Sequence, residues 1–242
     1  MLLFLTGCGS SGYKTYNVST HKVRKGETLY SIAWRYDLDY KDVARWNNIR
    51  PPYSIYIGQE LWLSSRYPSN TAYGGQSASA SSSPSATAKP KPKRTYTPKA
   101  PQQKQREIAD SDGRSYPTGR LIWQWPATGE IIRTYGTTNQ GKKGIDIAGK
   151  TGQPVVAAAE GKVVYGGVGL KGYGKLIIIK HNDNFFSAYA HNNKILVKEG
   201  TWVKRGQKIA EIGNTDADRA MLHFEIRRNG NPVNPLGYLP KR

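Results

Sequence analysis

Three short stretches in the second half of this 242-residue chain carry side chains able to hold a metal or move a proton. They are Lys142-Lys143-Gly144-Ile145-Asp146, Tyr189-Ala190-His191 and Met221-Leu222-His223. Asp146, His191 and His223 offer a carboxylate and two imidazoles, ligand types that a zinc ion takes from proteins. A catalytic zinc needs three such ligands and an open place for water. Lys142 cannot supply one. An ammonium has no lone pair, and deprotonating it at neutral pH means overcoming about 3 pKa units, or about 4–5 kcal/mol. Met221 cannot relay protons, because a thioether has none to exchange. Taken singly, a His or Asp in a β-rich domain is a structural or surface residue; only the joint pattern argues for a site.

In order and spacing the three stretches resemble the active-site motifs of the lysostaphin/LytM family of zinc peptidases, His-x-Gly-x-Asp, x-x-His and His-x-His. The resemblance covers the last half of the chain. It implies that Asp146 and His223 descend from zinc ligands and His191 from a catalytic histidine. It places Lys142 at the third ligand position and Met221 at the second catalytic histidine. Metal-assisted water attack needs both a held metal and proton transfer. The expectation is therefore a relic site (Asp146, His191, His223), a lost zinc site with no cofactor in its place, and no peptidase activity. Lys142 is expected to stand in for the lost metal charge by pairing with Asp146. His181 also sits where the family often has a histidine, and a structural role at a strand end is expected for it.

The elements that must position these residues read as strands. Short β-rich runs cover Pro154–Ala159, Lys162–Tyr165, Leu176–Lys180, Phe185–Ala190, Lys208–Ile212 and Leu222–Arg227, with turn residues between them. Leu121-Ile122-Trp123-Gln124-Trp125-Pro126 opens the domain. The predicted fold is a mainly β C-terminal LytM-type (duplicated hybrid motif-like) domain over 117–242.

Residues 20–64 read differently. His21-Lys22-Val23 starts a strand, and Leu29, Ile32, Ala33 and Tyr36 then recur on one helical face. Asp39 can cap a second helix bearing Tyr40, Val43, Ala44 and Asn47, which Pro51-Pro52 prevents from continuing. Ile57–Leu63 supplies a closing strand, giving the order β-α-α-β. Val23-x-x-Gly26-Glu27-Thr28-Leu29 and Ile57-Gly58-Gln59-x-Leu61 resemble a LysM domain, a small α+β fold that binds N-acetylglucosamine polymers such as peptidoglycan. The resemblance implies a sugar groove at Gly26, Glu27, Thr28, Leu29, Asn48, Ile49, Pro52, Tyr53 and Ile55. For Leu29 and Ile49 ordinary core is the competing reading.

Between the two modules, residues 65–116 are rich in Ser, Ala, Pro and Lys, which reads as a disordered basic linker. Its expected job is to let the second domain reach a partner while the first holds the wall. The formal charge of +19 implies polyanionic surroundings. No nucleic-acid-binding signature accompanies it, so the cell wall is the favoured partner rather than nucleic acid. Leu5-Thr6-Gly7-Cys8 resembles a lipobox, in which the Cys is lipidated after cleavage of a signal peptide. Cys8 is the only cysteine, so no intramolecular disulfide forms. On this reading residues 1–7 are a signal-peptide remnant and 8–19 a lipidated tether on the outer membrane, facing the periplasm.

A lipobox, LysM domain, basic linker and degenerate LytM domain in that order resemble NlpD-type lipoproteins. These activate periplasmic N-acetylmuramyl-L-alanine amidases, which split septal peptidoglycan as daughter cells separate. The resemblance implies an amidase-binding groove at Lys142, Tyr173, His191, Arg219 and His223. The alternatives are a peptidoglycan-binding scaffold without activator role, and an active zinc endopeptidase.

Overall fold

In the computed structural model, the structure describes residues 19–65, 114–136 and 143–242. Cys8, Lys142 and the linker therefore lie outside the described residues.

The N-terminal unit has the expected order. Strand β1 (Thr20–Lys22) pairs antiparallel with β2 (Glu60–Trp62), and helices α1 (Leu29–Arg35) and α2 (Tyr40–Trp46) lie between them in sequence. Thr28 caps α1 by a reciprocal box: its hydroxyl accepts from the Ser31 amide and its own amide donates to Ser31 Oγ. Asp39 caps α2 as its position suggested. The Asn47 side chain ties α2 to β2 through the Trp62 backbone.

Among the described residues, the second unit is built of eleven short strands. They are β3 (Ile131–Arg133), β4 (Ile145–Ala148), β5 (Pro154–Val156), β6 (Gly161–Gly167), β7 (Leu176–Lys180), β8 (Phe185–Ala190), β9 (Asn192–Ile195), β10 (Trp202–Val203), β11 (Lys208–Ile212), β12 (Met221–Arg228) and β13 (Asn231–Val233). One long antiparallel sheet runs β10-β6-β7-β8-β12-β4-β3, with β13 also paired to β12. A small sheet runs β5-β11-β9. The fold is mainly β, as expected.

Side chains alternate across a strand, so each central strand of the long sheet serves two faces. Ile177, Ile179, Tyr189, Leu222, Phe224 and Ile226 point into the core shared with the small sheet. Leu176, Ile178, Phe186, Ala188 and Ala190 point to the opposite face. There they form one continuous cluster with Leu29, Ile32, Trp34, Tyr40 and Leu61 of the LysM unit.

The sequence suggested two modules acting apart on a linker. The structure instead docks one on the other. The Thr28 hydroxyl donates to the Val164 carbonyl at 3.1 Å, and Arg35 donates to the Gly169 carbonyl at 2.9 Å. Lys143 reaches Asp37 at 2.6 Å. At the β12–β13 turn the approach is close enough to exclude a side chain: a Cβ on Gly230, at φ +77°, would meet the Asp39 nitrogen at 2.6 Å. The physical reason is the outer face itself. An apolar sheet face of this size needs a cover, and the α1–α2 surface supplies it.

Candidate relic site and its relatives

Strand register brings the predicted residues together. On β4, Asp146 pairs directly with His223 of β12 on one side and with Arg133 of β3 on the other. Directly opposed residues put their side chains on the same face about 5 Å apart. His223 Nδ1 donates to Asp146 Oδ1 at 2.5 Å, and the Arg133 guanidinium lies against Asp146 Oδ2. His223 Nε2 donates to Glu225 Oε1 at 3.1 Å. Glu225 also accepts from the Tyr173 hydroxyl at 2.8 Å and from Arg227 Nε at 3.0 Å.

The charges follow from this geometry. Burial pulls the His223 imidazole towards neutrality, but the bonds to Asp146 and Glu225 outweigh it and push its pKa up to about 9. Burial would raise Glu225, yet the Arg227 charge and the His223 bond hold it down to about 2. Asp146 is likewise lowered: burial opposes this, while His223 and Arg133 impose it. The site thus carries an imidazolium and two carboxylates, closed by two guanidinium groups. Asp146 Oδ1 is taken by His223 and Oδ2 faces the Arg133 charge, and a protonated His223 has no lone pair for a metal. Among the described residues no cluster of three or more His, Cys, Asp or Glu side chains is placed to hold a metal ion.

His191 stands beside this row rather than in it. Its ring centroid is 6.0 Å from that of His223, its Nδ1 donates to the Thr215 carbonyl at 2.8 Å, and its backbone takes φ +63°. Burial first, and the neighbouring His223 charge after the Thr215 bond opposes it, lower its pKa. Met221 is buried at the start of β12. Tyr173 is half-buried, with its hydroxyl engaged by Glu225, and Arg219 is exposed. The expected Lys142–Asp146 pair involves a residue outside the described set; Arg133 holds the position beside Asp146. His181 is fully buried, bonded to the Glu160 carbonyl and Ser187, which is the structural role expected for it.

The residues expected to form a sugar groove divide. Gly26, Asn48 and Pro52 are exposed, and Ile49, Tyr53 and Ile55 are half-buried along the α2–β2 side. Leu29 is only 1% exposed and belongs to the core cluster, the competing reading for it. Glu27 is tied to His21, Arg35 and the Arg24 amide, so its carboxylate is already engaged.

Sequence reasoning passed over Arg133, Glu225 and Arg227. The signal for the last two was present. His223, Glu225 and Arg227 alternate with Leu222, Phe224 and Ile226, which places all three polar groups on one face of a strand. Arg133 gave no such signal, because a three-residue strand shows no periodicity.

Residues 21–64 match the LysM domain and residues 140–235 match Peptidase family M23. The lipoprotein NlpD/LppB homolog of Pseudomonas aeruginosa is 45% identical over 227 residues, spanning 91% of this chain and 76% of its own length. The chain belongs to the NlpD/LppB lipoprotein family. Within it, the murein hydrolase activator NlpD of Escherichia coli K12 is 38% identical over 264 residues, covering 94% of this chain and 69% of its own. The uncharacterized lipoprotein YgeR of the same strain is 42% identical over 241 residues, covering 98% and 89%. Among the described residues no helix is long and apolar enough to cross a membrane.

Proposed function

We propose that this chain is a murein hydrolase activator whose M23 domain binds a partner instead of cutting peptide. The partner is a periplasmic N-acetylmuramyl-L-alanine amidase. The observation that carries this reading is the closed row Arg133–Asp146–His223–Glu225–Arg227, in which each charge of the old metal site is answered by a protein group. Zinc does not fit there, since it would have to displace Arg133 and deprotonate His223. Without a held metal His191 has no polarised water to deprotonate, and on this reading the domain acts by binding. The name murein hydrolase activator borne by the E. coli relative supports the same role.

Cys8 carries the lipid that holds the chain at the outer membrane, facing the periplasm and acting at the division septum. The LysM unit binds peptidoglycan through Gly26, Asn48, Ile49, Pro52, Tyr53 and Ile55, the Thr28 hydroxyl being taken by the α1 cap and Val164. Activation is a population shift: the M23 domain favours the open form of a self-blocked amidase through its higher affinity for that form. The contacts centre on the rim residues Tyr173 and Arg219 around His191 and His223.

The test uses the full chain with Cys8→Ser, purified without added metal, and dye-labelled sacculi. Release only when an amidase is present supports the proposal. Release by the chain alone, abolished by a chelator, overturns it in favour of an endopeptidase. Sacculus binding with no release in either mixture leaves a scaffold.

A further inference from the structure

The docked LysM unit lies on the same sheet face as the relic site. His223, Glu225 and Arg227 project from β12 on that face, and Arg227 is the anchor. It is 1% exposed, and it reaches into the other unit by three contacts: Nη1 to the Trp34 carbonyl at 3.0 Å, Nη1 to Asp37 at 2.9 Å, and the guanidinium over the Trp34 ring at 3.7 Å. Lys143, just before β4 and beside Arg227, is also held by Asp37. The Trp34–Asp37 end of α1 therefore covers the Arg227 end of the surface that the activator reading assigns to the partner.

A footprint calculation decides whether both can bind at once. Four residues along a strand separate His223 from Arg227 by about 13 Å. A standard protein interface covers about 800 Å² on each side, equivalent to a disc of about 16 Å radius. A protein centred on the relic site thus overlaps the Arg227–Trp34 contact.

We infer that the LysM unit and the protein partner compete for this face, so that the docked arrangement is the closed state of the activator and Asp37 its latch. The inference rests on the activator reading given above. Undocking uncovers Arg227, Phe186, Ile178 and Lys143 together, and the partner then takes the place of α1. Nothing covalent changes in the exchange.

Asp37→Lys tests this in the full chain. The residue is exposed, belongs to the LysM unit and meets the M23 unit through its ion pairs to Lys143 and Arg227, so the substitution leaves the apolar packing of both units in place while like charges now face Lys143 and Arg227. Two quantities are read: the radius of gyration by solution X-ray scattering, and the concentration giving half-maximal amidase-dependent dye release. The expected result is a larger radius of gyration and a half-maximal concentration lowered at least threefold. A larger radius with an unchanged half-maximal concentration overturns the competition while leaving the activator reading intact. An unchanged radius overturns Asp37 as the latch. If neither the variant nor the native chain promotes release, the activator reading itself has failed and the inference falls with it.

Discussion

Replacing Arg227 with methionine removes the charge while keeping most of the side-chain volume. In the native chain this guanidinium answers Glu225, which is 1% exposed, and makes the contacts to Trp34 and Asp37. Removing one member of a buried ion pair costs about 3–5 kcal/mol, because the other charge is left uncompensated. Glu225 keeps the His223 and Tyr173 bonds, which places the expected loss at the lower end, about 3 kcal/mol. In a folded body of this size each kcal/mol moves Tm by about 2–4 °C, so the variant should melt about 6–12 °C lower. The assay is calorimetry beside the double variant Glu225→Gln with Arg227→Met. Gln at 225 no longer requires a counter-charge, so the double variant should recover part of the loss. A single-variant shift under about 2 °C, or a double variant that is simply additive, would refute the picture of Arg227 as the group that neutralises Glu225.

Stability should also depend on pH with a definite sign. His223 has its pKa raised from 6.5 to about 9, so its contribution is complete below about pH 6.5 and lost as pH rises through about 9; urea titrations should show a fall of about 3 kcal/mol across that window, absent in His223→Gln. Glu225, held at about 2, acts oppositely, and its contribution is lost as pH falls from about 4.5 towards 2. Thr28→Ala removes both the α1 cap and the bond to Val164, which should cost about 1 kcal/mol from the cap alone, whereas Thr28→Ser should restore it. Gly230→Ala forces a Cβ against the backbone of Leu38 and Asp39, and scattering should report separation of the two units.

Much of the fold was legible because the informative residues repeat with a period. Leu176–Lys180 and Phe185–Ala190 are long enough to show strand character, and both form as read. The β-α-α-β order of residues 20–64 follows from a helical face, an aspartate cap and a proline stop, each a local signal. The strands β3, β4 and β10 are two to four residues long and offer no period, so the row of residues flanking Asp146 could be found only from the register.

The docking of the two units was hidden for a different reason. The residues that make it look ordinary from sequence. Ile178, Phe186 and Ala188 read as strand core, and Trp34 and Tyr40 read as helix core. A strand buried on both faces gives a continuous apolar run, and Leu176-Ile177-Ile178-Ile179 is such a run. One small three-stranded sheet covers a single face of the long one, so the run implied a second cover that the C-terminal domain alone does not supply. The buried Arg227 sharpens the point. A charge at 1% exposure has to be answered, Glu225 answers it within the domain, and Asp37 and the Trp34 carbonyl answer it only when the LysM unit is in place. Undocking therefore returns the outer part of that guanidinium to water without leaving it unpaired.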